Sequence, residues 1–260
     1  MTPDVLAPIP RAPLAVAAPA RLRVLDGPRA FFGGVGFVVG TPSVWPLAMV
    51  PVAILFVLGA GSAALGLFAT WHLVSWIVSG ASAWATVGRF LLELVFGGIA
   101  LIVSALVALA FAQPLSARAL EAISHRQAVA LGVAAPSERS PILRSLAVNL
   151  LGLAVGLPLF ALLAIVDLAF PPAGVVTWPL RFVLYALLFA WDMLDYPLGL
   201  RGATLGDRLR FFGRNFFSLL LFGIFAAPFL LVPGLGLFLL PFGVAGATRL
   251  IARSHEPARS

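Results

Sequence analysis

The chain has 260 residues, 61% of them hydrophobic and only 10% charged, with a formal net charge of +7 and a mean hydropathy of +1.06. No water-soluble domain of this length is so apolar, so the composition describes an integral membrane protein. The absence of cysteine excludes disulfides and thiolate metal sites. All the lysine-or-arginine positions are arginine, which with the abundant Ala, Gly, Pro and Leu points to a GC-rich bacterial genome.

In chain order, residues 1–20 are rich in Pro and Ala, carry Asp4 where a signal peptide needs a basic start, and are expected to be a disordered cytoplasmic tail. Residues 21–252 then read as a single membrane domain, and 253–260 as a short second tail. Arg21 to Gly40 is an amphipathic lead-in containing Gly33, Gly34 and Gly36. The first apolar segment runs from about Val44 to Ala69, with Pro46 and Pro51 early in it, where a membrane helix tolerates them or kinks. Trp71, Trp76 and Trp84 mark an interfacial connection.

The second segment spans about Phe90 to Ala112, with Glu93 within helical reach of Arg89. Pro114 to Arg144 is expected to be a basic loop holding an amphipathic helix with Arg118, Glu121 and His125 on its polar face, then a linker at Pro136-Ser137-Glu138-Arg139. Leu146 to Phe170 is the third segment, with a kink expected at Pro158, and Pro171-Pro172-Ala173-Gly174 turns the chain into the fourth, Trp178 to Tyr196. Pro197 and Gly199 are expected to stop that helix.

Thr204-Leu205-Gly206-Asp207 then reads as a capping box opening a short helix. Leu205, Leu209, Phe212 and Phe216 fall on one side of it and Arg208, Arg210 and Arg214 largely off that side, which predicts an interfacial helix with a cationic face. Phe216 to Val232, a turn at Pro233-Gly234, and Leu235 to Ile251 make the last apolar pair. Its second member carries Gly243-Val244-Ala245-Gly246-Ala247-Thr248, small residues suited to close helix contact.

Six apolar segments therefore form three hairpins in an all-α polytopic membrane protein, supplemented by amphipathic interfacial helices. Arginines collect before the first hairpin and after each one, and only Arg89 and Arg181 lie near the opposite turns. By the positive-inside rule both termini are cytoplasmic. Proline breaks shorten several segments, so the last pair is expected to reach only part-way across the bilayer.

The series Asp195-Tyr196-Pro197, Phe222-Gly223, Val232-Pro233 and Leu240-Pro241-Phe242-Gly243-Val244-Ala245-Gly246-Ala247-Thr248 resembles the C-terminal signature of the CysZ-like, or etoposide-induced, membrane family. The likeness covers about Trp178 to Leu250, with a fainter match at Thr41-Pro42 and Pro51. It implies a multi-pass protein of the bacterial inner membrane that passes sulfate or a related small oxyanion along a helix-lined path in a homo-oligomer, with no ATPase domain and no cofactor. The eukaryotic relatives suggest the alternative of a non-transporting membrane scaffold or stress-related interaction protein.

Two groups of residues could carry chemistry. Gly33, Gly34 and Gly36 can cradle an oxyanion through backbone N–H groups at a helix N-terminus with Arg29 as counter-charge; the same glycines also serve packing and tight turns. Family members have further arginines there, whereas this chain has none between Arg29 and Arg89. Asp192 and Asp195, three apart on one helix face, can form an ion or proton site, or simply pair with Arg201 or Arg208 at the interface. Arg208, Arg210 and Arg214 can guide anions or contact lipid headgroups.

His72, His125 and His255 lack ligand spacing, which argues against a metal site. No nucleophile elbow or phosphate loop is present, so no catalytic residue and no enzymatic role is expected. The basic charge lies at membrane edges, which points to lipids and a small inorganic anion as partners and not to nucleic acid.

Overall fold

The computed structural model describes residues 21–78, 80, 82–133, 142–231 and 235–254. The expected tail at 1–20, the linker around Pro136 to Arg139 and the turn at Pro233-Gly234 lie outside them. The elements are α1 (Asp26–Gly40), α2 (Trp45–Ile77), α3 (Ala83–Ala130), α4 (Ile142–Ala169), α5 (Gly174–Gly199), α6 (Leu205–Arg214), α7 (Phe216–Leu231) and α8 (Leu235–Ser254), with short 3-10 turns at Pro42–Val44 and Pro171–Ala173. Among the described residues there is no strand, and the protein is an all-α polytopic membrane protein.

The apolar segments become the pairs α2–α3, α4–α5 and α7–α8. Three stretches are long and apolar enough to cross a bilayer: Pro42–Ile77, Ala83–Ala108 and Pro171–Gly199. The α7–α8 pair is shorter. At about 1.5 Å per residue, the 16 residues of α7 reach only ~24 Å, against a hydrocarbon layer of roughly 30 Å. Trp76 and Trp84, at the α2–α3 connection, are 82% and 86% exposed, as a headgroup-level belt requires.

Several boundaries differ from those expected. The second segment does not end near Ala112; α3 continues for 48 residues, straight through Pro114. A proline inside a helix removes one backbone hydrogen bond and crowds the preceding turn. Here the loss is offset downstream, because Leu120, Ile123, Ser124 and Gln127 of the same helix are buried. Of the expected polar face, Arg118 and His125 are exposed and Glu121 is half-buried. Pro197 lies inside α5, and the helix ends at Gly199, the second of the two expected stops. Termination comes where Gly202 takes φ +68 and Ala203 N–H donates to the Leu198 carbonyl at 3.1 Å. At the far end α8 includes Arg253 and Ser254, which the sequence reading had placed in the tail.

The core lies where α1, the downstream part of α3, the end of α5 and α6–α8 converge. Phe31, Leu120, Ile123, Met193, Leu219, Phe222 and Leu250 are fully enclosed there. Glycine makes the approach possible. A Cβ on Gly34 would fall 2.3 Å from the Gly246 nitrogen of α8, and one on Gly223 would fall 1.9 Å from the Ala186 carbonyl oxygen of α5. Polar ties close the same region. Leu22 N–H donates to Asn215 Oδ1 at 2.9 Å, Ser124 and Thr248 hydroxyls meet at 2.8 Å, and Arg126 reaches the Ser43 carbonyl. The three long apolar stretches, Pro42–Ile77, Ala83–Ala108 and Pro171–Gly199, project from this base with little of the protein covering their most apolar parts.

Candidate functional site

The short helix α6 begins as its sequence dictates. Thr204 Oγ1 accepts from Asp207 N–H at 3.2 Å, and Asp207 Oδ2 accepts from Thr204 N–H at 3.1 Å, satisfying two otherwise free donors. The Thr204 hydroxyl, followed by its backbone N–H, holds the Asp207 carboxyl below the ordinary value for the group. Next to it, in the turn after α5, burial lowers Arg201 below the usual guanidinium value.

The side of α6 that faces inward is not the one its leucines suggest. Leu205 and Leu209 are 42% and 51% exposed, whereas Arg208 is 2% and Phe211 5% exposed. The reason lies on α5. Asp195, near the end of that helix, is buried and forms an ion pair with Arg208, whose Nε also donates to the Ala203 carbonyl at 3.3 Å. A carboxylate in this position needs a guanidinium more than the core needs two leucines, and the leucines gain by facing lipid. Arg210 and Arg214 remain exposed, so the cationic face keeps two of its three expected members.

Of the four residues expected in a polar site, the structure joins Asp195 to Arg208. Asp192 and Arg201 are half-buried nearby in sequence, on α5 and in the following turn. The space beside the pair is a cavity of about 10 Å³ lined by Trp191, Leu194, Asp195, Leu198, Arg208 and Phe212. That holds roughly one water, not a tetrahedral oxyanion. Trp191 closes it edge-on against Phe212, with ring centres 5.6 Å apart. The geometry is therefore that of a structural tie between α5 and α6.

The second expected group lies on α1. Gly33, Gly34 and Gly36 sit well past the first turn of that helix, where backbone N–H groups are taken up by the helix itself. Gly34 serves contact with α8, and a Cβ on Gly36 would meet nothing within 4 Å. Gly33 is different: a Cβ there would lie 2.8 Å from Cδ and Nε of Arg249. The side chain of Arg249, from α8, thus crosses the helix at the one glycine that leaves it room. Arg29 lies one turn earlier on α1 and is exposed.

Two further ion pairs were not anticipated from the sequence. Arg253 Nη1 donates to Asp26 Oδ1 at 3.0 Å, tying the end of α8 to the start of α1. In the α4–α5 hairpin, Arg181 pairs with Asp167 at 2.6 Å, and the Thr177 hydroxyl donates to the same carboxylate. A signal for the latter existed: Asp167 and Arg181 are equidistant from Gly174 across the proline turn. Among the described residues no three His, Cys, Asp or Glu side chains group as metal ligands.

No curated protein matches the chain. The family model described as "Sulfate transporter CysZ/Etoposide-induced protein 2.4" matches residues 30–241, from α1 into α8. That stretch holds the apolar hairpins, the Asp195–Arg208 tie and the glycines of α1, and the chain belongs to this family of membrane proteins.

Proposed function

We propose that the protein carries sulfate or a related small oxyanion across the bacterial inner membrane, along a helix-lined path in a homo-oligomer and without an ATPase. The family description supports a sulfate-transporter type of role. The observation that carries the reading is the gathering of guanidinium groups at one end of the helices. Arg29, Arg249 and Arg253 lie along α1 and the end of α8, with Arg253 paired to Asp26. Such an end raises the local anion concentration at the mouth of a path. The same arginine bias supports a cytoplasmic location for this end and for both termini.

The test is flux. Purified protein in proteoliposomes should release trapped radiolabelled sulfate faster than empty vesicles, and Arg29→Gln should slow it. No flux above empty vesicles would move the assignment to a non-transporting scaffold, the reading that the second half of the family description supports. Orientation is checked by thiol labelling, since the chain has no cysteine of its own. An Arg21→Cys label reached only from the cell exterior would overturn the topology.

A further inference from the structure

The α4–α5 hairpin is apolar except along one line. Besides Trp178, the only side chains in residues 151–190 that carry a polar atom are Asp167, Thr177, Arg181 and Tyr185. On α5 the last three are spaced by four, so they share one face. Opposite them on α4 stand Phe160 and Asp167, two turns apart on one face. Contacts join the two faces into a seam: Arg181 Nη2 pairs with Asp167 Oδ2 at 2.6 Å, the Thr177 hydroxyl donates to Asp167 Oδ1, and the Tyr185 and Phe160 rings meet at 4.4 Å. The turn that ends the hairpin is apolar and exposed at Leu168, Phe170, Val175 and Val176.

That apolar turn belongs at the hydrocarbon boundary, so the ion pair beneath it lies inside the membrane. Counted at about 1.5 Å per residue from Asp192, on the basic side, Tyr185 stands ~10 Å, Arg181 ~16 Å and Gly174 ~27 Å into a layer of roughly 30 Å. The pair is therefore set between the outer boundary and Tyr185. A clasp closing the hairpin would account for Asp167, Arg181 and Thr177. It does not account for leaving the two charges 22% and 26% exposed within the membrane. Nor does it account for Tyr185, which is 55% exposed a turn deeper, its hydroxyl without a hydrogen-bond partner among the described residues. Ionised groups within a span face water or protein, not acyl chains, and α4 packs on little besides α5 and the turn before it.

We propose that the α4–α5 seam lines a water-filled cleft from the outer face to Tyr185, and that the Asp167–Arg181 pair is its gate. With the pair closed, each charge neutralises the other above Tyr185. With the pair parted, each side chain is solvated separately and a passage for water and small hydrated solutes reaches the middle of the bilayer. Its service to transport rests on the function proposed above; the hydration of the seam does not.

The chain supplies no thiol of its own, so single cysteines report on water. The full chain carrying Tyr185→Cys, or Leu162→Cys at similar depth on the far side of α4, is placed in nanodiscs with a charged, membrane-impermeant methanethiosulfonate. Tyr185→Cys should label at least about tenfold faster than Leu162→Cys, because a thiol in hydrocarbon stays protonated and unreactive. Adding Asp167→Asn should speed it about tenfold more, as expected for loss of one charge-assisted contact. Exchanging the pair, Asp167→Arg with Arg181→Asp, should restore the slower rate, which separates gating from misfolding. Equal labelling of Tyr185→Cys and Leu162→Cys overturns the cleft. So does oxidative cross-linking of Tyr185→Cys between copies without labelling, which would make the seam a subunit interface. Labelling of Tyr185→Cys unchanged by Asp167→Asn overturns the gate. Flux in the same variants keeps the two readings apart: rapid labelling without flux sinks the transport reading alone, whereas flux with Tyr185→Cys unreactive sinks this inference alone.

Discussion

The α2–α3 hairpin and the bundle at its base are built from the same apolar residue types, yet they are buried by different media. In the hairpin Phe56, Leu65 and Phe90 are 73%, 70% and 64% exposed, while Phe31, Leu120 and Phe222 of the bundle are at 0%. Lipid covers the first set, and protein covers the second. Lipid offers no hydrophobic reward for helix association, so the hairpin closes through small residues instead. Gly66 lies against Ala100, and the Ser62 hydroxyl, which donates to its own Leu58 carbonyl at 2.6 Å, also faces the Ser104 carbonyl. The bundle can use large side chains, and it can also hold a buried ion pair, because both partners are present.

That contrast can be broken most sharply at the ion pair. Arg208→Gln leaves Asp195 enclosed without its guanidinium and should destabilise the protein by about 3–5 kcal/mol. Thermal unfolding in detergent reads this directly, and the double change Asp195→Leu with Arg208→Met should recover most of the loss. A single variant as stable as the wild type would mean that water reaches this end of α5 freely.

Next in size is a matched truncation in the two regions. Leu120→Ala in the bundle should cost about 2–5 kcal/mol through the cavity it leaves. Leu65→Ala in the hairpin should stay within about 0.5 kcal/mol, because lipid or detergent refills the space. Equal effects would erase the distinction between the regions. On α1, Gly34→Ala should cost about 1–3 kcal/mol, since the new methyl meets the α8 backbone. Gly36→Ala, which meets nothing, should be neutral or slightly stabilising.

The smallest expected effect is at the start of α6. Thr204→Ala should lower the unfolding midpoint by a few degrees through loss of the capping box. The pH dependence has the same origin. Because the folded Asp207 carboxyl is held below its ordinary value, its contribution is present above that value and fades as pH falls through the folded one. Acid should therefore diminish the difference between wild type and Thr204→Ala.

Features set by neighbours in sequence were legible from the chain. The capping box at Thr204, the proline turn at Pro171 and the apolar hairpins all depend on contacts within a few residues or on periodicity. Pairing of Asp195 with Arg208 was one of the readings open for those residues. The continuity of α3 through Pro114 was not legible, because the local penalty of proline is visible in sequence and the distant packing of Leu120 and Ile123 that offsets it is not. The inward turn of Arg208 was hidden for a related reason: an amphipathic plot sorts side chains by polarity and cannot know that a carboxylate waits on another helix. Arg249 drew no attention as a neighbour of Gly33, since only the antiparallel meeting of α1 and α8 brings the two together.

The unbroken run of α3 also makes the molecule a lever. Its apolar part ends near Ala108, and the remaining residues to Ala130 extend ~33 Å at about 1.5 Å each into the bundle. A membrane-spanning helix answers a thinner bilayer by tilting. Ser124 lies ~24 Å along that arm, where a tilt of about 10° would swing its contact with Thr248 by ~4 Å unless the helix yields at Pro114. Membrane thickness and the arrangement of the basic end are thus mechanically linked, with one proline as the only joint along α3 between them.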